Sequence, residues 1–225
     1  MDHGTAAQTH GAFYGRRKGK RLRGGQDELV ATLLPQLRCD PARAIEGWQG
    51  RPVWLEIGFG GGEHLAAQAR AHPEVGLIGC EPFVNGVAKI LRVIARESIQ
   101  NIRIWDDDAT ALLDRLPPAS ISRAYLLYPD PWPKRRHRKR RFISPENLAA
   151  LARVMSHGAE LRFATDIDDY AGWALARVLR SPAFRWTAER ADDWRRPWPD
   201  WPGTRYEAKA LGEQRSPVYL TFERT

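Results

Sequence analysis

Short apolar segments alternate with stretches of helical periodicity from residue 52 almost to the end of the chain. The apolar segments are short and bounded by Gly, Pro or acidic residues, which is typical of buried strands. Between them, apolar residues recur every three or four positions, which is typical of helices. We predict strands within residues 52–58, 75–82, 102–109, 123–130 and 159–166. This alternation predicts an α/β fold with a doubly wound, mostly parallel sheet of the Rossmann-like type.

The last part of the chain departs from this alternation. Residues 184–189 and 217–224 have strand patterns, and no clear helix is evident between them, so we predict a final antiparallel pair. The connection includes a Trp- and Pro-rich segment, residues 192–203, for which we expect a packing role rather than that of a functional flap. Before it, a helix is predicted over residues 144–158, with Ser144 as its cap and Gly158 at its end.

The first 25 residues are poor in apolar side chains and contain GRRKGKRLRGG, with six Lys or Arg between Arg16 and Arg23. This composition predicts a flexible basic N-terminal arm over residues 1–25. A helical pattern over residues 27–37 follows, and residues 26–225 are predicted to form one domain. Two interpretations of the arm stay open, a solubilising tail and a segment that closes on nucleic acid.

Composition narrows the possible partners of this 225-residue chain. Its net charge of +8 and isoelectric point near 9.9 favour an anionic partner such as nucleic acid. It has no apolar run of 18 residues and no signal-peptide pattern, so we expect no membrane association and a cytoplasmic location. Cys39 and Cys80 form neither a CxxC pair nor a disulfide framework, which fits a reducing cytosol and argues against a metal site. The oligomeric state, monomer or homodimer, is left open.

Acidic residues stand at the ends of four predicted strands. In open sheets of this kind, ligands bind beyond the carboxyl ends of the strands. The first strand runs into LEIGFGGGEH, where Glu56 precedes Gly58, Gly60 and Gly62, and glycines there allow the backbone to approach a ligand closely. Glu81 ends the second strand, 19 residues after Gly62, a spacing at which an acid can bind the hydroxyls of a ribose.

The number of acids helps to distinguish between nucleotide ligands. Asp106, Asp107 and Asp108 end the third strand, and Asp130 ends the fourth. Several carboxylates would repel the pyrophosphate of a dinucleotide, whereas they attract the ammonium and sulfonium groups of S-adenosylmethionine. S-adenosylmethionine is therefore the favoured cofactor and NAD the second candidate. A tight turn that binds nothing is the remaining alternative for the glycine loop.

A basic segment follows the fourth strand directly, in YPDPWPKRRHRKRRF. Its eight consecutive cationic or titratable side chains run from Lys134 to Arg141 and leave the same strand end as Asp130. Phosphates bound there would lie close to the reacting groups, and RNA affinity would fall steeply with salt. A solvated charged face is the alternative. We expect His137 to interrupt the charge rather than to stack on a base.

Four motifs together resemble the bacterial tRNA (guanine-N7)-methyltransferase family, which has the class I methyltransferase fold. They are LEIGFGGGEHL, YPDPWPKRRHRKRRF, FATDIDDYAGW and TRYEAKALGE, and the resemblance covers roughly residues 12 to 224. It implies methylation at N7 of guanosine 46 in the variable loop of tRNA, with Asp130 as the catalytic residue. The implied cofactor-binding residues are Glu56, Gly58, Gly60, Glu81, Asp108 and Asp130; the substrate-binding residues are Lys134, Asp166, Thr204, Arg205, Tyr206 and Glu207; and the RNA-binding residues are Arg136, His137, Arg138, Lys139, Arg140 and Arg141.

The sequence departs from the family at two places. Pro82 and Phe83 follow Glu81 where the family often has an aliphatic residue and His, which affects the expected packing around the adenosine. The usual Thr-Lys-Phe-Glu is Thr204-Arg205-Tyr206-Glu207 here, and charge and aromatic character are kept.

The implied chemistry accounts for the lack of a nucleophile-and-base constellation. Guanine N7 carries an in-plane lone pair and no proton, so it needs no general base. An acid such as Asp130 or Asp166 can accept hydrogen bonds from the guanine, and these strengthen as the ring becomes cationic. Two other functions stay open: an exocyclic amino methyltransferase, which DPW of Asp130-Pro131-Trp132 suggests, and a non-catalytic RNA-binding protein.

Overall fold

The computed structural model describes residues 15, 17–41, 43, 45–48 and 50–225. Most of the predicted arm, residues 1–14 and Arg16, lies outside the described residues. The strands are β1 Val53–Ile57, β2 Gly76–Cys80, β3 Ile102–Trp105, β4 Ile121–Leu127, β5 Met155–Thr165, β6 Phe184–Trp186 and β7 Val218–Arg224. The helices are α1 Gln26–Thr32, α2 Leu34–Leu37, α3 Glu63–Ala71, α4 Val84–Glu97, α5 Ala109–Arg115, α6 Pro145–Val154, α7 Asp168–Val178, α8 Asp192–Arg195 and α9 Arg205–Gly212. Short 3-10 helices span Glu46–Trp48 and Arg135–Arg140.

The seven strands form one sheet in the order β3-β2-β1-β4-β5-β7-β6. Neighbours from β3 to β5 are parallel, whereas β7 is antiparallel to both β5 and β6. The predicted fold class and the antiparallel final pair are therefore confirmed. The chain order reverses between β1 and β4, so the crevice at their carboxyl ends is the expected ligand site.

Helices cover both faces of the sheet. Leu65 of α3 and Ile90 of α4 belong to the apolar core on one face. Leu112 of α5, Leu148 of α6 and Tyr170 of α7 belong to the core on the other. Both cores are continuous with strand side chains, because strands buried on two faces carry apolar residues at nearly every position.

Three predicted boundaries are wrong. The helix that starts at Ser144 ends at Val154, and Met155 to Gly158 belong to the long strand β5. The predicted helix over residues 27–37 divides into α1 and α2. The connection between β6 and β7 contains α8 and α9, where no clear helix was expected.

The Trp- and Pro-rich segment packs on β7, as expected. Trp198 is 8% exposed and donates its indole N–H to Thr221 Oγ1 at 2.8 Å. Its ring meets Tyr219 edge-on, with 5.4 Å between centroids, and Trp201 contacts both rings. These contacts fix the position of the segment that precedes α9.

Residues 17–25 run along α4, next to the end of β2. Gly19 N–H donates to Asn85 Oδ1 at 2.8 Å, and Asn85 donates back to the Lys20 carbonyl at 2.7 Å. Arg17 forms an ion pair with Asp107 at 2.7 Å. These contacts place the described part of the arm beside the acids that end β3, and the function of the arm stays a prediction.

Candidate functional site

The predicted cofactor-binding acids lie at the carboxyl ends of four adjacent strands. Glu56 is the fourth residue of β1 and is 3% exposed. Glu81 directly follows β2 and is 9% exposed. Asp108 follows β3 as the cap of α5, and Asp130 stands exposed in the loop after β4. Because these strands are parallel neighbours in the sheet, the four acids lie on the same side of it, where the strands end.

The glycine loop between β1 and α3 is held by Glu81. Gly58 and Gly60 have φ angles of 73° and 57°, a region that glycine adopts without steric cost. Gly60 N–H donates to Glu81 Oε2 at 2.7 Å. On the opposite side the loop touches α4 so closely that a Cβ on Gly86 would lie 2.2 Å from the Gly60 carbonyl oxygen. The loop is therefore fixed between an acid and a helix.

Glu81 keeps acceptor capacity toward the crevice. Its Oε1 accepts the Phe83 N–H at 3.0 Å, and its Oε2 accepts the Gly60 N–H. Burial raises the pKa of Glu81, these two N–H groups oppose the shift, and the negative charge of Asp130 adds to it. Each carboxylate oxygen can accept a second hydrogen bond. Glu81 can thus bind a pair of neighbouring hydroxyl groups, such as those of a ribose.

Glu56 is paired with a histidine that the sequence analysis did not single out. His64 Nδ1 lies 2.7 Å from Glu56 Oε2, and the two side chains are 2% and 4% exposed. The His64 ring lies between Tyr125 and Trp201, at centroid distances of 4.6 and 5.2 Å. His64 Nε2 has no hydrogen-bond partner among the described residues. The packing of the ring thus fixes the carboxylate at the end of β1.

The three acids after β3 have separate partners. Asp108 Oδ1 accepts the Thr110 N–H at 2.8 Å and so caps α5. Asp106 forms a bidentate ion pair with Arg38, at 3.0 and 2.8 Å. Since Arg17 pairs with Asp107, only the half-buried Asp108 lacks a cationic partner among the described residues.

Asp130 lies in a loop with unusual backbone geometry. Tyr128 and Trp132 have φ angles of 49° and 43°, which non-glycine residues rarely adopt and which persist only where the surroundings enforce them. Tyr128 N–H donates to the Ala164 carbonyl at 2.8 Å. The Asp130 carboxylate makes no hydrogen bond or ion pair with another described residue. The carboxylate of Asp130 is therefore available to a ligand at the end of β4.

The buried side chain of Arg141 anchors this loop. The side chain is 0% exposed and donates from Nε to the Pro131 carbonyl at 2.7 Å. Its Nη2 contacts Asp169 Oδ2, and Arg138 reaches Asp169 Oδ1 at 2.7 Å. The structure therefore places Arg141, one of the predicted RNA-binding residues, inside the protein and next to Asp130.

The other predicted RNA-binding residues lie on the 3-10 helix Arg135–Arg140. Arg136 and Lys139 are exposed, and Arg138 and Arg140 are half-buried. Desolvation and the charges of Arg140 and Arg136 lower the pKa of His137, so its ring is neutral at neutral pH. Its ring contacts Trp132 edge-on at 6.0 Å. The expected interruption of the positive charge by His137 stays a prediction.

The segment Thr204–Glu207 starts α9 and lies on the glycine loop. Thr204 Oγ1 accepts the Glu207 N–H at 3.1 Å, which caps the helix. A Cβ on Gly60 would lie 3.2 Å from Arg205 Nη2 and 3.3 Å from the Tyr206 ring. The remaining cavity beside Glu56 measures about 10 Å³, room for about one water molecule. Arg205 and Tyr206 thus cover the crevice.

Glu207 has a different environment from Arg205 and Tyr206. It is 9% exposed, and it accepts hydrogen bonds from Trp201 Nε1 at 2.7 Å and from the Tyr219 hydroxyl. Both carboxylate oxygens therefore serve the packing of α9 on β7.

Asp166 and Lys134 follow the carboxyl ends of β5 and β4, respectively. Asp166 follows β5, and its side chain is 13% exposed. It forms an ion pair with Arg215 Nε at 2.6 Å, a contact not predicted from the sequence. Lys134 is exposed at the start of the basic 3-10 helix.

The fold is that of known RNA methyltransferases. A mutant of the 16S rRNA (adenine(1408)-N(1))-methyltransferase from Catenulisporales acidiphilia aligns with a TM-score of 0.56 at 15% identity, over 83% of this chain and 92% of the other. The 16S rRNA methyltransferase KamB also gives a TM-score of 0.56, at 18% identity over 80% and 92% of the two chains. Residues 50–220 match a family model described as a putative methyltransferase. The chain thus has a methyltransferase fold.

Comparison with curated sequences identifies the family. The chain is 54% identical over 220 residues to a tRNA (guanine-N(7)-)-methyltransferase of Chelativorans sp. (strain BNC1), and it is 53% identical to the protein of that name from Agrobacterium fabrum. Both alignments cover 95% of this chain and 95% of the relative. The chain belongs to the tRNA (guanine-N7)-methyltransferase family. No helix within the described residues is long and apolar enough to cross a membrane.

Proposed function

We propose that this protein transfers a methyl group from S-adenosylmethionine to N7 of a guanine in tRNA, at guanosine 46 of the variable loop. The observation that carries the proposal is the position of Asp130. Its carboxylate makes no hydrogen bond or ion pair with a described residue, acts electrostatically on Glu81 in the crevice, and belongs to a loop that is anchored by Arg141 and leads into the basic 3-10 helix. A methyl donor on one side and an RNA strand on the other would meet at this acid.

The residues of the crevice suit S-adenosylmethionine. When bound, this cofactor supplies an electrophilic methyl group on a positively charged sulfur. Glu81 retains acceptor capacity for the ribose hydroxyls, and the buried Glu56 offers negative charge for the ammonium group. The side chains of Tyr206 and Arg205 cover Gly60, so they have to move aside when the cofactor enters.

The protein contributes placement and electrostatic stabilisation. Guanine N7 needs no general base, so the main requirement is to hold N7 in line with the methyl carbon; such positioning can contribute roughly 7 to 11 kcal/mol. Positive charge spreads over the guanine as the methyl group arrives. The unpaired Asp130 can accept hydrogen bonds from the guanine and stabilise this charge.

Asp166 and Tyr206 are proposed to recognise the base. Asp166 has one carboxylate oxygen engaged by Arg215 and can accept a hydrogen bond on the other. Tyr206 is 42% exposed and lies nearly parallel to Tyr128, at 6.4 Å between ring centroids. An extruded guanine can stack on such a ring. The exposed cations Lys134, Arg136 and Lys139 are proposed to bind RNA phosphates near this base.

The test incubates the purified protein with labelled S-adenosylmethionine and two tRNA transcripts that differ only at the variable-loop guanosine. The proposal predicts N7-methylguanosine, identified by mass spectrometry, only from the transcript that has this guanosine. A product methylated on an exocyclic amine would show the neighbouring amino methyltransferase chemistry. Tight tRNA binding without methylation would show an RNA-binding protein instead.

A further inference from the structure

A cavity of about 480 Å³ opens beneath the basic 3-10 helix, where that helix meets the first turn of α6 and one side of α7. Its wall is mostly cationic and includes one tryptophan. The five cations and the tryptophan that line it are Arg135, Arg138, Lys139, Arg141, Arg177 and Trp173.

The positive charge of this cavity exceeds the negative charge near it. Asp169 pairs with both Arg138 and Arg141. Arg135 and Lys139 are exposed and make no ion pair with a described residue. The cavity therefore retains positive charge for an outside anion.

One acid does line the cavity. Glu146, in the first turn of α6, is bound by its own backbone N–H and by Ser144, which lower its pKa. These contacts explain its presence in the first turn of the helix, and its charge acts on Arg177, so that it offsets one of the five cations of the cavity.

Arg177 comes from α7, far from the basic segment in sequence, and it has a fixed orientation. Its guanidinium lies 3.0 Å from the centre of the Trp173 ring, and Trp173 is held by an N–H donated to the Ile143 carbonyl at 2.9 Å. The only hydrogen bond of Arg177 to a described residue is a long one, 3.5 Å to the Trp173 carbonyl. Desolvation and the nearby charges of Arg180 and Arg141 lower its pKa. A cation held in this way is suited to bind an anion.

The cavity shares a wall with the site of methyl transfer. Arg141 lines the cavity and also donates to the carbonyl of Pro131, the residue next to Asp130. If the target base of an RNA strand lies at Asp130, a neighbouring part of the RNA backbone would lie close to Arg141 and the cavity.

We propose that this cavity binds a phosphodiester of the RNA strand that carries the target guanosine, with Arg177 as its central contact and Arg135 and Lys139 at its rim. A guanidinium can donate two parallel hydrogen bonds to a phosphate. The volume exceeds that of one phosphate and leaves room for the adjoining sugar. This inference rests on the proposed function, because it takes tRNA as the ligand.

The first experiment measures tRNA binding as a function of salt, without cofactor, for wild type, Arg177→Gln and Arg135→Gln. Arg180→Gln is the control, since it removes the same charge from an exposed residue two positions after the end of α7 that does not line the cavity. The charge of Arg180 acts on Arg177, but Arg180 makes no contact with the phosphate in the proposed complex. Loss of one phosphate contact lowers the slope of log K against log salt by roughly 0.7 to 0.9. We expect this decrease in both cavity variants and a much smaller one in Arg180→Gln.

The second experiment places a single uncharged methylphosphonate at each position around the target guanosine, in a tRNA annealed from synthetic halves. At one position the substitution should weaken wild-type binding clearly more than it weakens binding of Arg177→Gln, because both changes remove the contact of Arg177 with the same phosphate. Additive losses at every position would overturn the proposal, as would equal salt slopes for Arg177→Gln and Arg180→Gln.

The binding tests stay informative if Arg177→Gln is unstable or if the protein does not methylate tRNA. Arg135 is exposed, and its side chain makes no hydrogen bond or ion pair with a described residue, so its variant stays informative if Arg177→Gln proves unstable. Binding is measured without methyl transfer. A wild-type protein that binds tRNA but does not methylate it would contradict the proposed function and leave the cavity test intact.

Discussion

His64 Nδ1 and Glu56 Oε2 lie 2.7 Å apart in a region from which solvent is almost completely excluded. A carboxylate has no proton to give, so His64 is the donor. Because Tyr125 and Trp201 hold the ring, the Glu56 carboxylate has one orientation at the edge of the crevice. The pair links the packing of the Trp- and Pro-rich segment to a predicted cofactor-binding acid.

Replacing His64 should weaken cofactor binding. His64→Leu removes the hydrogen-bond donor and keeps most of the side-chain volume. Glu56 then becomes a buried acceptor without its partner, which costs about 1 to 3 kcal/mol of free energy. We expect the Kd for S-adenosylmethionine, measured by calorimetry, to rise about tenfold, equivalent to about 1.4 kcal/mol. His64→Asn keeps an N–H close to the position of Nδ1 and should recover most of the affinity. Equal affinities of the two variants would show that the hydrogen bond does not position Glu56.

Asp130→Asn should slow methyl transfer without destabilising the protein. The side chain is exposed and makes no hydrogen bond within the described chain, so the Tm should stay unchanged. Loss of a preorganised electrostatic contact in the transition state typically costs about 10²- to 10³-fold in rate. We expect a decrease in this range in the single-turnover rate at saturating tRNA and cofactor. A rate within a factor of two of wild type would exclude a role for this acid.

Tyr206→Ala should separate cofactor binding from RNA binding. The ring covers Gly60 and must move when the cofactor enters, so its removal should leave the Kd for S-adenosylmethionine unchanged or lower. The target guanine would lose a stacking surface, worth about 1 to 3 kcal/mol. We therefore expect kcat/KM for tRNA to fall at least fivefold.

The control for this prediction is Leu211→Ala, which truncates another exposed side chain of α9. Its kinetic constants should match those of wild type. A weaker affinity of Tyr206→Ala for the cofactor, with unchanged kcat/KM for tRNA, would assign Tyr206 to the cofactor site alone.

The position of the predicted acids followed from the sequence because it depends on local pattern. Apolar runs that end in Glu81 or Asp130 define strand ends, and neighbouring parallel strands bring those ends together. The missed helix α9 also had a local signal. Thr204 and Glu207 have the spacing of a capping box before a helical segment, and the Pro-rich connection before them obscured it.

Other residues of the site could not be found in this way. The position of Arg177 in the basic cavity depends on how α7 packs on the segment before α6, where Trp173 donates to the Ile143 carbonyl 30 positions away, and the pairing of Asp166 with Arg215 joins residues 49 positions apart. The family resemblance implies that Arg141 contacts RNA, and an eight-residue cationic run gives no sign of which of its side chains turns inward. Its burial follows from tertiary contacts with Pro131 and Asp169.

Asp169 should stabilise the loop around Asp130 in a pH-dependent manner. Hydrogen bonding to Arg141 lowers the pKa of Asp169 below its ordinary value of 3.8. A carboxylate whose pKa is lower in the folded chain stabilises the protein above its unfolded pKa, and this contribution is lost as the pH falls through the folded value. Asp169→Asn removes the charge of this side chain, which is 45% exposed, so solvent screening limits the loss of folding free energy to about 1 kcal/mol.

We expect Asp169→Asn to lower the Tm at pH 7, by about 2 to 4 °C for each kcal/mol lost. The difference from wild type should shrink as the pH is lowered below about 4. Asp168→Asn, at the neighbouring exposed position in the first turn of α7, is the control and should have little effect. A Tm difference for Asp169→Asn that is the same at pH 3 and pH 7 would contradict this role of the ion pair.

The most direct test of the central claim is to map the methylated position. N7-methylguanosine makes an RNA strand cleavable by borohydride and aniline treatment, so the modified nucleotide can be read from the length of the fragments. After incubation of an unmodified tRNA transcript with the protein and S-adenosylmethionine, we expect a single cleavage at the variable-loop guanosine 46, absent without enzyme and much reduced with Asp130→Asn. A methylated transcript that resists cleavage, or one cleaved at another guanosine, would contradict it.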